Sequence, residues 1–188
     1  MILSQQRRET ANLAPPVSTD LTCLPVGPQP PERVYAIVEI PRGGRNKYEY
    51  DPALGAFRLD RVLYSSVHYP AAYGFVPSTM AADGDPVDIL VMTSEPTFTG
   101  CVIEARSVGL LRMADEKGDD EKVLSVAAID PLFDHVHDLE DVAAHFLREV
   151  EHFFRVYKNL EGKEVVTFGW EGRDSALAAI REGVSRKQ

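Results

Sequence analysis

The sequence is poor in cysteine and contains no long apolar run. Its two cysteines, Cys23 and Cys101, lie outside any Cys-x-x-Cys or Cys/His pattern, so we expect no structural zinc site. They form either one disulfide or two free thiols, and we expect free thiols in a reducing compartment. No apolar run approaches the roughly 18 residues that span a membrane. The N-terminus also lacks the basic and then apolar pattern of a secretion signal, so we expect a cytoplasmic protein.

Positively charged residues are also scarce. Lys and Arg together number 20, against 29 Asp and Glu, which gives a formal net charge of -9. This balance argues against a protein that binds nucleic acid by neutralising its phosphates with Lys and Arg. It is compatible with a small anionic substrate, because bound metal ions reverse the sign of the local charge. The length of 188 residues suits one domain with its own core.

The first 32 residues differ in composition from the rest of the chain. They hold only scattered apolar residues and six prolines, Pro15, Pro16, Pro25, Pro28, Pro30 and Pro31. Such a segment buries too little apolar surface to offset the entropy lost on ordering it. We therefore predict a proline-rich, flexible extension over residues 1–32 and a single barrel domain with C-terminal helices over residues 33–188.

Short runs typical of β-strands dominate the chain from Val34 onwards. Residues 34–40 form an apolar run that ends at Pro41, and residues 56–63 alternate between apolar and polar. Further runs cover residues 88–92, 102–113 and 123–127. Many short strands separated by Gly and Pro favour a closed barrel over alternating strands and helices.

The last third of the chain has helical periodicity. Apolar residues recur there at spacings of three or four, namely Val142, Phe146, Val150, Phe153 and Tyr157. This spacing predicts one face of a long helix that begins near Asp138, covers roughly residues 138–160 and is stopped by Gly162. A second, shorter helix follows, with Asp174 as its N-cap.

The strongest local signal is the segment Asp83–Asp88, which reads Asp-Gly-Asp-Pro-Val-Asp. Ionised carboxylates packed this closely repel one another, and their pKa values rise unless cations lie between them. Hard oxygen ligands of this kind suit Mg²⁺, which binds together with substrate phosphates. On this segment alone, a solvated acidic turn is an equally good interpretation.

Three other motifs resemble parts of the acidic segments. The first cluster fits the aspartyl-nucleophile motif D-x-D-x-[TV] of haloacid-dehalogenase phosphatases, but residues 78–82 do not form the buried apolar strand that should precede it. An EF-hand loop would need an oxygen ligand where Val87 stands and Glu where Ser94 stands. A prenyl-diphosphate DDxxD motif starting at Asp119 would need an acidic residue in place of Val123.

A second acidic cluster, Asp115–Lys122, forms a predicted turn between two strands. A charged hairpin tip is usually just solvated, so this cluster means little by itself. Paired with the first cluster across a barrel, it would complete a site for several metal ions. Arginines and lysines elsewhere in the chain are suited to phosphate, which Arg grips with two hydrogen bonds and Lys attracts as a point charge.

Seven short motifs together resemble one known family. In chain order they are Glu39-Ile40-Pro41, Asn46-Lys47-Tyr48-Glu49, Asp60-Arg61, Tyr69-Pro70-x-x-Tyr73-Gly74, Asp83-Gly84-Asp85-Pro86-x-Asp88, Met113-x-Asp115-Glu116-x-x-x-Asp120-x-Lys122 and His152-Phe153-Phe154-x-x-Tyr157-Lys158. In order and spacing they resemble the family I soluble inorganic pyrophosphatases, from about Val34 to Trp170.

The resemblance implies a role for each matching residue, with several Mg²⁺ ions and pyrophosphate as the bound species. The implied metal ligands are Glu39, Asp83, Asp88, Asp115 and Asp120. The residues implied to bind the phosphates are Lys47, Arg61, Tyr73, Tyr157 and Lys158, with Lys122 and Tyr69 nearby. Asp85 is implied as the base that accepts a proton from the attacking water, with Asp120 as the alternative.

The resemblance also implies an architecture and an assembly. The expected fold is mainly β with two C-terminal helices (α+β), built on a five-stranded, OB-like closed barrel. The expected assembly is a homohexamer: His152 is retained on the long helix, but Val156 stands where some bacterial members have an interface histidine. Two other hypotheses remain, a non-catalytic OB-type barrel that binds nucleic acid or protein, and a Mg²⁺ phosphatase with an aspartyl nucleophile.

Overall fold

The computed structural model describes residues 20–116 and 118–187. The described strands are β1 (Arg33–Ile40), β2 (Asn46–Asp51), β3 (Ala56–Val62), β4 (Ala72–Phe75), β5 (Asp88–Met92), β6 (Val102–Asp115), β7 (Gly118–Asp119), β8 (Lys122–Ala127) and β9 (Val166–Gly172). The described α-helices are α1 (Ala144–Val156) and α2 (Arg173–Lys187). Single 3₁₀ turns cover Leu21–Cys23, Pro131–Phe133, Leu139–Asp141 and Asn159–Glu161.

Five strands close into a ring. They pair in the order β1-β4-β5-β8-β6, and β6 pairs back to β1. Only the β5–β8 pair is parallel among the five pairings of the ring. β9 extends the sheet beyond β6, and β2 and β3 form a separate hairpin. The predicted five-stranded, mainly antiparallel barrel with two C-terminal helices is therefore confirmed.

The two helices pack on opposite faces of the strands. Successive strand residues point to opposite faces, and β5 shows the consequence. Ile89 belongs to the hydrophobic cluster that contains Ile180 of α2, whereas the next residue, Leu90, belongs to the cluster that contains Phe154 of α1. The cluster under α1 contains aliphatic and aromatic side chains, whereas that under α2 contains aliphatic side chains, and their removal from water is the main stabilising contribution.

The long helix is shorter than the spacing predicts. α1 covers Ala144–Val156 rather than residues 138–160. Asp138 instead caps the 3₁₀ turn Leu139–Asp141, and the backbone is extended at Val142 before α1 begins. Val142 is nevertheless buried. Val142 keeps the four-residue spacing from Phe146 because both side chains pack against the same buried cluster. Such burial does not require a continuous helix.

The start of α2 also differs from the prediction. The helix begins at Arg173, so Asp174 lies in its first turn instead of capping it. The backbone N–H of Arg173 donates to Asp138 Oδ1 over 3.1 Å, and the same oxygen accepts from Leu139 N over 2.7 Å. The Asp138 side chain thus accepts hydrogen bonds from the first backbone N–H groups of two elements that are far apart in sequence, the 3₁₀ turn Leu139–Asp141 and α2.

The N-terminal part of the described chain lies against the barrel. Residues 1–19 of the predicted extension are outside the described residues. From Asp20 onwards, Leu21 N donates to Tyr50 Oη (3.1 Å), Ser78 N to Thr22 O (2.8 Å) and Tyr35 N to Val26 O (2.7 Å). The flexibility of residues 1–32 and the boundary after residue 32 stay predictions.

The structure also bears on the two cysteines and on membrane-spanning segments. Cys23 and Cys101 are both free thiols, the first exposed and the second half-buried. In residues 20–116 and 118–187, no helix has the length and apolar character needed to cross a membrane.

Candidate active site

A cavity of about 520 Å³ opens between the barrel, the β2–β3 hairpin and the C-terminal end of α1. Every residue that the sequence predicts for the site lines this cavity: Glu39, Lys47, Arg61, Tyr69, Tyr73, Asp83, Asp85, Asp88, Asp115, Asp120, Lys122, Tyr157 and Lys158. The two acidic clusters, which are separate in sequence, therefore meet at one opening.

Strand direction explains why these residues meet. β5 and β8 run parallel, so their first residues, Asp88 and Lys122, lie at the same edge of the ring. β6 runs antiparallel to β8, so its last residue, Asp115, reaches that edge as well. In the β2–β3 hairpin, Lys47 is the direct cross-strand partner of Arg61, which places two cations side by side over the cavity.

Lys122 lies between two carboxylates. Its ammonium group donates hydrogen bonds to Asp88 Oδ2 and Asp120 Oδ1, and its side chain is 3 % exposed. Burial alone would lower the pKa of Lys122, but the charges of Asp88 and Asp120 outweigh burial and raise it. Burial raises the pKa of Asp88, whereas the ammonium group of Lys122 opposes that rise.

Lys158 holds the other acidic cluster in the same way. Its Nζ lies 2.6 Å from Asp115 Oδ2 and 3.6 Å from Glu116 Oε2. Lys163 Nζ lies 2.8 Å from the second carboxylate oxygen of Glu116. Lys47 likewise pairs with Glu49 on the hairpin. Ammonium and carboxylate groups therefore neutralise each other across the cavity.

Arg61 points into the cavity between two acids. Its Nη1 lies 2.6 Å from Asp60 Oδ2, and its Nε donates to Glu161 Oε1 over 3.1 Å. Glu161 lies in the 3₁₀ turn just after the helix that ends near Tyr157. The guanidinium group is therefore fixed from both sides of the cavity, in an orientation that its flexible side chain would not keep by itself.

The tyrosines of the site form part of a buried aromatic cluster. The rings of Tyr69 and Tyr73 are 5.3 Å apart, and Tyr157 lies 5.3 Å from Phe153. Burial raises the pKa values of Tyr69, Tyr73 and Tyr157 well above the ordinary range, so their hydroxyl groups stay protonated at neutral pH. They are thus potential hydrogen-bond donors, and the Tyr73 hydroxyl opposes the rise in the pKa of Asp88.

Glu39 is held at the opposite wall of the cavity by β1. Its Oε1 accepts a hydrogen bond from the backbone N–H of Tyr50 over 2.8 Å. Burial raises the pKa of Glu39 to about 8, and the nearby charge of Asp88 adds to that rise. A carboxyl group in this setting takes up either a proton or a neighbouring cation.

The residues present fit a divalent metal ion. Within residues 20–116 and 118–187, no three His, Cys, Asp or Glu side chains stand in a ligating arrangement. The ammonium group of Lys122 instead draws two carboxylates together, as a cation does. The available donors are carboxylate oxygens, which suit hard cations such as Mg²⁺.

Two of the competing motif interpretations are inconsistent with this geometry. Asp83 and Asp85 lie on an exposed loop that precedes β5. An aspartyl nucleophile of the haloacid-dehalogenase type should instead follow a buried strand of an α/β fold. In the acidic loop, residues 79–87, Val87 is buried in the core, where an EF-hand would need a ligand oxygen.

The structure also brings residues to the cavity to which the sequence assigned no role. Glu49 and Glu116 belong to the matched motifs, so their positions were visible in the sequence. Thr22 and Lys163 line the cavity too. Thr22 lies in the predicted extension and Lys163 follows a turn outside the motifs, so no sequence signal identified either one.

Comparison with known proteins agrees with this site. The family profile described as inorganic pyrophosphatase matches residues 36–188. An inorganic pyrophosphatase from Methanosarcina acetivorans is 55% identical over 150 residues, or 80% of this chain and 89% of that protein. One from Thermus thermophilus is 51% identical over 170 residues, or 89% of this chain and 97% of that protein. That alignment is longer than residues 33–188, so it includes part of the predicted extension.

Solved structures show the same fold. The crystal structure of the inorganic pyrophosphatase from Thermus thermophilus has a TM-score of 0.87 at 50% identity and covers 89% of this chain and 98% of that one. The inorganic pyrophosphatase from Helicobacter pylori has a TM-score of 0.82 at 41% identity, covering 84% and 94%. With the family profile, the relatives and the cavity in agreement, this chain belongs to the inorganic pyrophosphatase family.

Proposed function

We propose that this chain hydrolyses inorganic pyrophosphate to two phosphates in a Mg²⁺-dependent reaction at the cavity described above. The observation that carries this proposal is the pairing of Lys122 with Asp88 and Asp120, together with that of Lys158 with Asp115. Pyrophosphate and its cations bring both charges that these groups need. The carboxylates would hold the cations, and the ammonium groups would bind the phosphates.

The carboxylates divide into two groups. Asp83, Asp88 and Asp120 would hold one metal ion, with Asp88 shared by a second, and Asp115 and Asp120 would hold a further ion that arrives with the substrate. Glu39 would join through water. The chemistry that a divalent cation held by these carboxylates would supply is a lower pKa of bound water and compensation of the charge that develops on the phosphates.

The cations of the chain bind and orient the substrate. Arg61 and Lys47 lie on the hairpin, and Lys158 and Tyr157 lie at the end of α1, so the two phosphates are held from two sides. Positioning and charge stabilisation account for most of the catalysis of phosphoryl transfer. Tyr73 donates a hydrogen bond, because its buried hydroxyl stays protonated.

Asp85 is the proposed base. The oxygen of water attacks one phosphorus, its proton passes to the Asp85 carboxylate, and the bond from that phosphorus to the bridging oxygen breaks. The second phosphate leaves with the bridging oxygen. Asp85 lies on the exposed tip of the acidic loop, at the rim of the cavity, where it passes the proton on to solvent. Asp120 is the alternative base.

The decisive experiment measures phosphate release from pyrophosphate with and without Mg²⁺. A phosphomonoester serves as the control substrate. Release from pyrophosphate alone, lost in EDTA and restored by Mg²⁺, supports the proposal. Preferential hydrolysis of the monoester would support an aspartyl-nucleophile phosphatase, and binding of single-stranded nucleic acid without hydrolysis would support the OB-type binding barrel.

We also propose that the protein is a cytoplasmic homohexamer, on the family resemblance.

A further inference from the structure

The acidic loop, defined as residues 79–87, brings Asp83 and Asp85 to the cavity and leads directly into Asp88. We infer that Thr79 is a positioning residue for this loop: its buried hydroxyl joins the two ends of the loop and so determines where the three carboxylates stand. This inference rests on the proposed function, because it concerns the same metal-binding carboxylates.

The hydroxyl of Thr79 makes two hydrogen bonds at the base of the loop. It accepts from the backbone N–H of Val87 over 2.9 Å and donates to the carbonyl oxygen of Val76 over 2.6 Å. The N–H of Val76 donates in turn to the carbonyl of Val87 over 2.9 Å. Thr79 is 1% exposed, so water is not available to replace these bonds.

Helix α2 closes the base of the loop from the other side. The backbone N–H of Met80 donates to the carbonyl oxygen of Gly183 over 2.9 Å. A Cβ atom on Gly183 would lie 2.5 Å from Val87 Cγ2 and 3.2 Å from Thr79 Cβ. Glycine disfavours a helix interior, so its presence here has a packing reason, which is the close approach of α2 to this loop.

The tip of the loop has little support of its own. Asp83, Gly84 and Asp85 are exposed, and the backbone bonds of the tip run within the loop, from Ala81 N to Asp85 O (2.6 Å) and from Gly84 N to Ala81 O (3.3 Å). Such bonds set the shape of the tip but not its place on the barrel. The base determines that place, and Thr79 is the side chain that holds the two ends of the base together.

The test compares two substitutions at Thr79 with a matched control. Thr79→Val keeps the shape of the side chain and removes the hydroxyl, whereas Thr79→Ser keeps the hydroxyl. Thr93→Val is the control, because the Thr93 hydroxyl is buried and makes no hydrogen bond within residues 20–116 and 118–187. Binding of Mn²⁺ without substrate is measured by electron paramagnetic resonance, beside the Mg²⁺ concentration for half-maximal phosphate release and the melting temperature.

We expect Thr79→Val to weaken Mn²⁺ binding by about 10–100-fold, the usual effect of losing a group that orients metal ligands. The Mg²⁺ requirement should rise in parallel, while Thr79→Ser and Thr93→Val stay near the wild-type values. A folded Thr79→Val protein with wild-type Mn²⁺ affinity would overturn the inference, even if its melting temperature fell. Equal weakening in Thr93→Val would overturn it too, because any buried hydroxyl would then have the same effect.

Gly183→Ala decides the matter if Thr79→Val does not fold. The added methyl group presses on the base of the loop while the Thr79 hydroxyl is retained. Weaker Mn²⁺ binding in this variant supports control by the base, and unchanged binding contradicts it. The wild-type assays keep this question apart from the proposed function: a wild-type chain that binds Mn²⁺ but does not hydrolyse pyrophosphate would refute the activity and leave the role of Thr79 to the binding data.

Discussion

Lys122 donates a hydrogen bond to Asp88 from a side chain that is 3 % exposed. The same ammonium group also bonds Asp120. A predicted phosphate-binding lysine thus holds two predicted metal ligands together. Breaking a buried ion pair on one side leaves an uncompensated charge, which costs about 3–5 kcal/mol.

Lys122→Met should therefore destabilise the metal-free protein and make it depend on Mg²⁺ for stability. Lys122 opposes the rise in the pKa of Asp88, so without it this pKa rises further. The acidic limb of the activity profile should move to higher pH, because Asp88 is then protonated where the wild type has it ionised. Melting temperatures with EDTA and with Mg²⁺, and rates from pH 5 to 9, test both points. An unmoved acidic limb would contradict this expectation.

Glu39 should give the metal-free protein a pH-dependent stability. Its pKa is about 8 in the folded state, above the ordinary value of 4.5. A raised carboxyl pKa means that folding favours the protonated form. The contribution of Glu39 to the free energy of unfolding is therefore complete below about pH 4.5 and is lost as pH rises through 8. Urea unfolding in EDTA at pH 5, 6.5 and 8 measures it. In Glu39→Gln the free energy of unfolding should lose the part of its pH dependence that Glu39 causes. An equal pH dependence of this free energy in the two proteins would rule out the assignment.

Asp85, Asp88 and Asp120 should respond differently to replacement by asparagine. Asp88→Asn should weaken metal binding, and excess Mg²⁺ should restore part of the activity. Asp85→Asn should lower turnover by about 10²–10⁴ even at saturating Mg²⁺, the usual contribution of a general base, because an amide cannot take the proton. Steady-state rates across a Mg²⁺ series separate the two effects. Near-normal turnover of Asp85→Asn, with Asp120→Asn inactive, would make Asp120 the base.

We expect residues 1–19 to be dispensable for activity and residues 20–24 to contribute to it. Composition predicts that residues 1–30 are dispensable for chemistry. Thr22 lines the cavity, however, and Leu21 bonds the hydroxyl of Tyr50, whose backbone N–H bonds Glu39. Deleting residues 1–19 should leave turnover within about twofold, whereas deleting 1–24 should raise the Mg²⁺ requirement by about tenfold or more. Identical kinetics for the two deletions would show that these contacts have no effect.

The protein should be a hexamer in solution. Phe168 of β9 is 66% exposed, at the point where the register of the β6–β9 pairing shifts. The hexamer is expected from the family resemblance, and Phe168 is the exposed aromatic side chain that we select to test for a contact between subunits. Light scattering at micromolar concentration should give six chain masses, and Phe168→Glu should lower that mass. A monomeric wild-type protein would refute the hexamer.

Much of the site was predictable because its side chains lie in short, dense motifs. The three carboxylates of Asp83–Asp88 are compatible with a solvated turn when taken alone, and it is their place among seven motifs in a fixed order that points to a metal site. The barrel was predictable as well, since short strands between glycines and prolines leave few alternatives. The helix over residues 138–160 was less accurate, because a row of buried side chains reports a shared buried face, and Val142 reaches that face from extended backbone.

The sequence by itself determined which chemical groups are present and which strands and helices carry them. Only the tertiary structure decided which groups face one another. Glu161 bonds Arg61 from 100 residues away, and Thr79 joins the ends of the acidic loop under the cover of α2. Spacing along a chain encodes the side of an element that is buried, whereas a partner on another element depends on strand order and helix packing. Those are settled only when the whole barrel closes.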